Sequence, residues 1–479
     1  MGSTRPPASR PLSFETTVAD RAGAHIEEHR LENGMRVLLV ERHGDPVVSV
    51  MLWYRVGSRN EREQEAGVSH FLEHMMFKGS SRFAKGDVDR WTTELGGSNN
   101  AFTGYDHTAY WFELAADRWE KALEIEADRM QGLLLEPAEF ESERAVVLEE
   151  LSMGDDDPWR ALSEAVQAAA FERHPYRRPI IGFTDALKRL SASEMRDYHR
   201  RFYHPGNATL VISGEIRCAE ALEIARGHFG SIAPGTPYAE ADAFRPKAEP
   251  AVGERRLSLT WDDMGKRYCA AWPGTAVGTA DDDVLDVIAT LLTGGRLSRL
   301  YKRLVIDGAL ATSVSASNDS RVEGGLFWVF AECAAGAEPA ALESAIDEEL
   351  LRLSRSRVPA AELARVVKML EATEAYDEET ASDLAEMVGE YAVDAHWTLA
   401  FESIERIKRV TPAQIQECAK RLLGSSKRVV GWCLPEQSPK SRRHQARKAK
   451  SRAQARVKSS ARARPKSKGR GAARKRVRA

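Results

Sequence analysis

The sequence predicts a chain that mixes helices and strands in two similar halves, and three observations carry that prediction. Apolar residues recur at helical spacing around residues 68–76, and residues 137–150 are rich in helix formers. Strand-like runs stand at 35–40, after Gly96 and Gly97, and at 256–261. Between 231 and 254, Pro234, Gly235, Pro237, Pro246, Pro250 and Gly253 break a stretch with little periodicity, as a linker would.

In chain order, residues 1–24 are expected to be disordered. The first domain, 25–230, opens on the strand pair that begins near Met35. The stretch His70-Phe71-Leu72-Glu73-His74 reads as a helix: Val68, Phe71, Leu72, Met75 and Met76 fill one arc, while the two histidines and Glu73 share the other at about 100° per residue. Gly96-Gly97 reads as a turn feeding a strand that alternates through Tyr110 and Phe112, with a further turn near Gly104-Tyr105-Asp106. Pro137 suits the first turn of the next helix, where Glu143 and Glu150, seven apart, lie on one face. The domain closes on a helix and a hydrophobic strand at 209–212. After the linker at 231–254, the second domain, 255–436, repeats the pattern: a strand pair from 256, and a closing helix and strand at 427–432.

His70, Glu73 and His74 fit the inverted zincin pattern His-x-x-Glu-His. A hydrolytic zinc ion takes three protein ligands and keeps a fourth position open, so one further carboxylate or histidine must come from elsewhere. Glu143 and Glu150 are candidates; taken alone, two glutamates on a helix are more simply a solvated face. Zinc supplies Lewis acidity and makes water acidic near pH 7, and a glutamate one turn along can take the water proton and pass it to the leaving nitrogen. An aspartate at position 73 would be too short.

Together with Gly96-Gly97-Ser98-Asn99-Asn100-Ala101-Phe102-Thr103, Asp106-His107-Thr108-Ala109-Tyr110 and the segment from Phe202 to Val211, these motifs resemble the pitrilysin-like metallopeptidases. The likeness is strongest to the branch containing the beta subunit of the mitochondrial processing peptidase. It covers most of the first half. It implies an α+β fold of two like domains, each an antiparallel sheet covered by helices. It implies that His70, His74 and Glu150 bind one Zn2+ per chain, that Glu73 is the general base, and that Glu143 supports the site. It further implies that the strand of Asn100, Ala101, Phe102 and Thr103 lies at a sheet edge beside the zinc and pairs with an extended peptide, a recognition mode largely blind to sequence. His107 is left out of the site, since a lone histidine in a strand is more often structural.

The second half carries no such motif. Between Phe229 and Lys440 its one histidine is His396. Its Gly294-Gly295-Arg296-Leu297-Ser298 stretch resembles one that, in this family, precedes an arginine and, seven residues on, a tyrosine that help hold the substrate carbonyl. Val305 and Thr312 stand at those positions, and neither can donate as Arg and Tyr would. The expectation is a heterodimer in which a homologous subunit supplies the missing pair. A homodimer, or substitution by Arg299, Tyr301 or Arg303, is the alternative.

The 479 residues, 43% hydrophobic, suffice for two or three packed domains. No apolar run reaches the roughly 20 residues of a membrane span. The N-terminus lacks an apolar core for a signal peptide, and the five scattered cysteines suggest a reducing compartment, so a cytoplasmic location is expected, with a periplasmic one if the true start differs. Residues 437–479 read as a disordered basic tail. From Lys440 onward they hold 18 Lys or Arg and no acid, leaving 51 basic against 71 acidic residues in the rest of the chain. Such a tail favours weak polyanion binding or mere solubilisation. The leading expectation is a zinc endopeptidase acting on extended peptides. The alternatives are a low-activity assembly subunit of the same fold and a nucleic-acid-associated factor acting through the tail.

Overall fold

The computed structural model describes residues 17–21, 23–236 and 253–436. Most of the expected linker, the basic tail and residues 1–16 lie outside them. In the first half the elements are β1 (Thr17–Arg21), β2 (Ala24–Arg30), β3 (Arg36–Glu41), β4 (Val47–Tyr54), α1 (Val68–Met75), α2 (Asp87–Glu94), β5 (Ser98–Thr103), β6 (Thr108–Ala115), α3 (Glu120–Gly132), α4 (Pro137–Asp155), α5 (Pro158–Ala170), α6 (Thr184–Arg189), α7 (Ala192–Phe202), β7 (Ala208–Gly214) and α8 (Cys218–Phe229). The second half has β8 (Arg255–Trp261), β9 (Arg267–Pro273), α9 (Ala280–Thr293), a π-helical turn (Tyr301–Asp307), β10 (Ala311–Asp319), β11 (Leu326–Cys333), α10 (Pro339–Arg355), α11 (Ala360–Asp377), α12 (Ala381–Asp394), α13 (Thr398–Ile407), α14 (Pro412–Leu422) and β12 (Val429–Pro435).

Two sheets result, in the orders β1-β2-β3-β7-β4-β6-β5 and β10-β11-β9-β12-β8. The fold is α+β as expected, but each sheet is mixed rather than wholly antiparallel: β7 runs parallel to β3, and β12 parallel to β8. In both halves the closing strand returns after several helices, and a long crossover can bring a strand back in the same direction where a tight hairpin cannot. A second difference concerns the N-terminus. Thr17–Arg21, inside the stretch expected to be disordered, forms an edge strand paired with β2. Its sequence, Thr-Val-Ala-Asp-Arg, offers no apolar run; the main-chain ladder pairs it with β2, and Ala19 adds a contact to the core.

Both faces of the first sheet are buried, which explains why Val37-Leu38-Leu39-Val40 is apolar without alternation. Val37, Leu39, Val50, Leu52, Phe112 and Ile212 face helices of the first half, including α1, α3 and α7. Leu38, Val40, Met51, Trp53 and Val211 face the other way, onto Leu384, Ala385, Val388 and Ala392 of α12, a helix of the second half. The second sheet shows the reciprocal arrangement. Tyr268, Ala270, Trp272 and Val329 face helices of their own half. Cys269, Ala271, Trp328, Val429 and Cys433 meet Leu162, Val166 and Ala170 of α5, from the first half. The halves have exchanged a helix, and polar contacts follow the exchange: Arg36 donates to the Ala392 carbonyl at 2.7 Å and Arg59 pairs with Glu323 at 3.1 Å.

The exchange needs small residues where helix meets sheet. A Cβ on Gly389 would stand 2.1 Å from Trp53 Nε1, and one on Gly431 would stand 2.5 Å from Val166. Gly389→Ala is therefore expected to lower stability by about 1–3 kcal/mol, the usual range for overpacking, seen as a lower thermal midpoint. An unchanged midpoint would mean that α12 does not sit as described.

In the second half a cavity of about 650 Å³ is lined by Asp286, Glu374, Asp377, Asp383, Glu386 and Glu390, with no Lys or Arg in its wall. Burial pushes Asp286 up to about 7, the charge of Asp282 adds to this, and a hydrogen bond from Asn318 opposes it. Its folded-state pKa lies above the unfolded value, so between about pH 4 and 7 the folded chain keeps a proton that the unfolded chain has released. Stability from this group thus falls as pH rises through that window. Asp286→Asn keeps an acceptor for Asn318 and should stabilise the chain at pH 8 by on the order of 2 kcal/mol, with the gain gone below about pH 4. Melting curves of both proteins at the two pH values would show it.

Candidate metal centre and active site

Helix α1 starts abruptly. Gly67, at φ +97, carries the chain into it, and a Cβ there would meet the Ile181 carbonyl at 2.4 Å. The buried Glu61 carboxylate accepts the backbone N–H of Gly67 at 2.9 Å and of Ser69 at 2.8 Å, so two donors at the helix start find an anion. Burial raises Glu61 to about 7, with Arg178 and these N–H groups opposing. Val68, Phe71, Leu72 and Met75 are buried, and Phe71 lies against Phe140 of α4 with ring centroids 4.8 Å apart. That contact sets α4 beside the polar face of α1.

Three sequence candidates then meet. His70 Nε2 lies 3.6 Å from Glu150 Oε1, and His74 Nε2 lies 3.5 Å from Glu150 Oε2. A tetrahedral ion bound at 2.0–2.2 Å holds its ligand atoms about 3.4 Å apart, so this donor set fits zinc with little rearrangement. Burial drives His70 down to about 4, helped by the charges of His74 and Arg160, so its imidazole is neutral at pH 7, as a metal ligand requires. Glu143 accepts from His74 Nδ1 at 3.0 Å and from Lys78 Nζ at 2.7 Å. Burial opposes its charge, yet Lys78 and His74 together hold the Glu143 carboxyl below its ordinary value. The bond to Nδ1 fixes the His74 ring with Nε2 turned to Glu150. His70 has no such support: its buried Nδ1 finds no hydrogen-bond partner among the described residues.

Glu73 projects from the same helix face. Burial raises its pKa; a hydrogen bond donated by Thr103 Oγ1 and the charge of His74 oppose, and Glu150 adds to the rise. Thr103 ends β5, the edge strand of the first sheet, paired within it only to β6. Alternation divides the four candidate substrate residues. Ala101 packs against the core beneath α1, and Thr103 bonds Glu73. Phe102 turns to the opposite face, against Trp53 at 5.4 Å. Asn100 is exposed, its side chain accepting the Ala101 N–H at 2.9 Å. Phe102 can thus serve a peptide there only through its main chain, whereas the Asn100 side chain stands open at the edge.

Val305 packs against the second core, and Thr312, exposed on β10, lies 3.4 Å from the Glu332 carbonyl. Two of the three proposed substitutes are occupied: Arg299 pairs with Glu362 at 2.7 Å and Glu349 at 3.3 Å, and Arg303 with Glu348, while Tyr301 opens the π-helical turn. A groove of about 490 Å³ runs between Asp157, Trp159 and Arg160 at the start of α5 and Ser313, Ser315 and Phe330 of the second sheet.

Sequence reasoning missed Glu61, Lys78 and the orienting role of Thr103. Lys78, three residues past the end of α1, is placed by the turn that follows the helix and carries no periodic signal. Glu61 and Thr103 are brought in by loop and sheet geometry that no local pattern encodes.

Comparison with known proteins places the chain in a family. Residues 36–184 match the family described as insulinase, peptidase family M16, and residues 189–370 match the one described as the peptidase M16 inactive domain. The zinc protease PqqE of Helicobacter pylori is 28% identical over 78% of this chain and 85% of its own. An uncharacterized zinc protease of Mycobacterium leprae is 33% identical, over 64% of this chain and 68% of its own. The mitochondrial-processing peptidase subunit beta of Rattus norvegicus is 27% identical over 91% and 92%. Among solved structures, a protease from Helicobacter pylori superposes with a TM-score of 0.81 at 26% identity, covering 86% of this chain and 99% of that one.

Proposed function

This chain belongs to the insulinase family of peptidases, family M16, and from that premise we propose that it is a zinc-dependent endopeptidase acting on extended peptide segments. The observation that carries the proposal is the convergence of His70 and His74 from α1 with Glu150 from α4, at 3.6 and 3.5 Å respectively, next to Glu73 and an open sheet edge. Zinc held by these three ligands, one per chain, would supply a Lewis acid and a water acidic near neutral pH. Glu73, its basicity raised by burial, takes a proton from water and returns it to the leaving amine nitrogen. Thr103 holds Glu73 in place and joins it to β5, whose main chain aligns the substrate as an added strand. Glu143 and Lys78 orient His74.

Full activity, in this reading, needs a homologous partner that supplies an arginine and a tyrosine. Val305 and Thr312 offer no such donors, and Arg299 and Arg303 are tied up in ion pairs of their own. Relatives named as the beta subunit of a processing peptidase are by name parts of an assembly. The same departure favours a second reading, a subunit of this fold kept for assembly with little turnover. Chelator-sensitive cleavage of an unstructured peptide library, by the full chain with and without a partner, tests both. Cleavage that zinc restores after chelation supports the peptidase; none under either condition supports the assembly subunit. The described residues contain no helix long and apolar enough to cross a membrane. The basic tail is proposed to bind polyanions weakly, and deleting residues 437–479 should abolish any salt-sensitive nucleic-acid binding by the chain.

A further inference from the structure

Among the described residues two groups of three metal-competent side chains bring one donor atom each within 4.8 Å of the others. One is the centre already described. The other is His107, Glu390 and Asp394, at the junction of the halves. His107 sits in the turn between β5 and β6, is only 8% exposed, and has Nδ1 3.0 Å from Asp394 Oδ1. Glu390 and Asp394 are four apart at the end of α12, so they share a helix face.

We propose that His107, Glu390 and Asp394 form a second metal site, for a divalent first-row cation such as Mn2+ or Zn2+, that clasps the exchanged helix α12 to the first half. An imidazole with two carboxylates suits such ions better than Ca2+ or Mg2+, which take oxygen donors. Three further observations converge. Glu390 makes no hydrogen bond or salt bridge among the described residues, although the charge of His107 faces it. Glu390 is also exposed and lines the 650 Å³ acidic cavity, so its carboxylate is open to an ion from solvent. The wall of that cavity, six carboxylates and no Lys or Arg, concentrates cations at the entrance. A plain His107–Asp394 ion pair accounts for the 3.0 Å contact, and the charge of Glu390 supports it, but neither brings the Glu390 carboxylate into a hydrogen bond among the described residues.

The consequence reaches the first centre. His107 is four residues beyond Thr103, which holds Glu73, and packs edge-on against Phe102 with ring centroids 6.1 Å apart. An ion here would steady the end of β5.

The test uses the full chain carrying His70→Ala and Glu150→Ala, which empties the first centre. After chelator treatment and dialysis against Mn2+ or Zn2+ alone, elemental analysis should find one bound equivalent, and the ion should raise the melting temperature. Adding Glu390→Gln should weaken binding at least tenfold. Because Glu390 has no hydrogen-bond partner to lose among the described residues, that variant is expected to fold as its parent does, which circular dichroism checks; His107→Ala serves as the stricter variant if it folds. No bound ion in the double variant, or unchanged affinity with Glu390→Gln, would overturn the proposal.

Discussion

Glu73→Gln is expected to leave one zinc per chain and to lower peptide turnover by a factor on the order of 100 to 10,000, the usual contribution of a positioned acid–base group. Glutamine keeps the shape of the side chain and can still accept from Thr103, so the loss would be one of proton transfer alone. Glu150→Ala should behave differently. It removes the carboxylate that faces both histidines, and the chain should then lose zinc on dialysis together with its activity. Glu143→Gln belongs between the two. It weakens the support of the His74 ring, and losses of this kind cost about 10- to 100-fold in metal affinity. Metal content and kcat measured on the three variants separate the roles. Zinc-free Glu73→Gln beside fully loaded Glu150→Ala would reverse them.

Addition of the proposed partner subunit should produce an effect of similar size. One oxyanion donor typically contributes on the order of 100-fold or more in rate, and this chain has Val305 and Thr312 where such donors are expected. The chain alone should cleave slowly, and a homologous subunit that carries the Arg and Tyr but lacks the metal ligands should raise kcat by about that factor. Mixing experiments with size-exclusion chromatography check this. Full activity from a monodisperse homo-oligomer of this chain would defeat it.

The two sequences that build the centre were legible for different reasons. Residues 68–76 carry their own periodicity: the arc of Val68, Phe71, Leu72 and Met75 forces His70, Glu73 and His74 together whatever packs outside. Glu143 and Glu150 show only that they share a face of α4. That the face turns toward α1 depends on Phe71 meeting Phe140, a contact between residues 69 positions apart in sequence. The strand and turn after Gly96 were legible because alternation and glycine mark them locally.

The exchanged helices were not legible. Helices α5 and α12 have apolar faces like any other, and nothing in Leu162-x-x-x-Val166 or Leu384-x-x-x-Val388 says which sheet each face will cover. The mixed sheets were hidden for the same reason, because strand direction is decided by where a crossover returns. His107 was read as structural in isolation. Its partners Glu390 and Asp394 come from the other half of the chain, and only the exchange of α12 brings them to it.

The central claim is that one ion is gripped by side chains of two helices, and anomalous diffraction at the zinc edge from crystals of the zinc-loaded chain tests it most directly. The account predicts a peak bounded by Nε2 of His70, Nε2 of His74 and a carboxylate oxygen of Glu150, and no peak there in Glu150→Ala crystals. A zinc-loaded chain with no density between those three residues, or with Glu150 turned away from both rings, would contradict it.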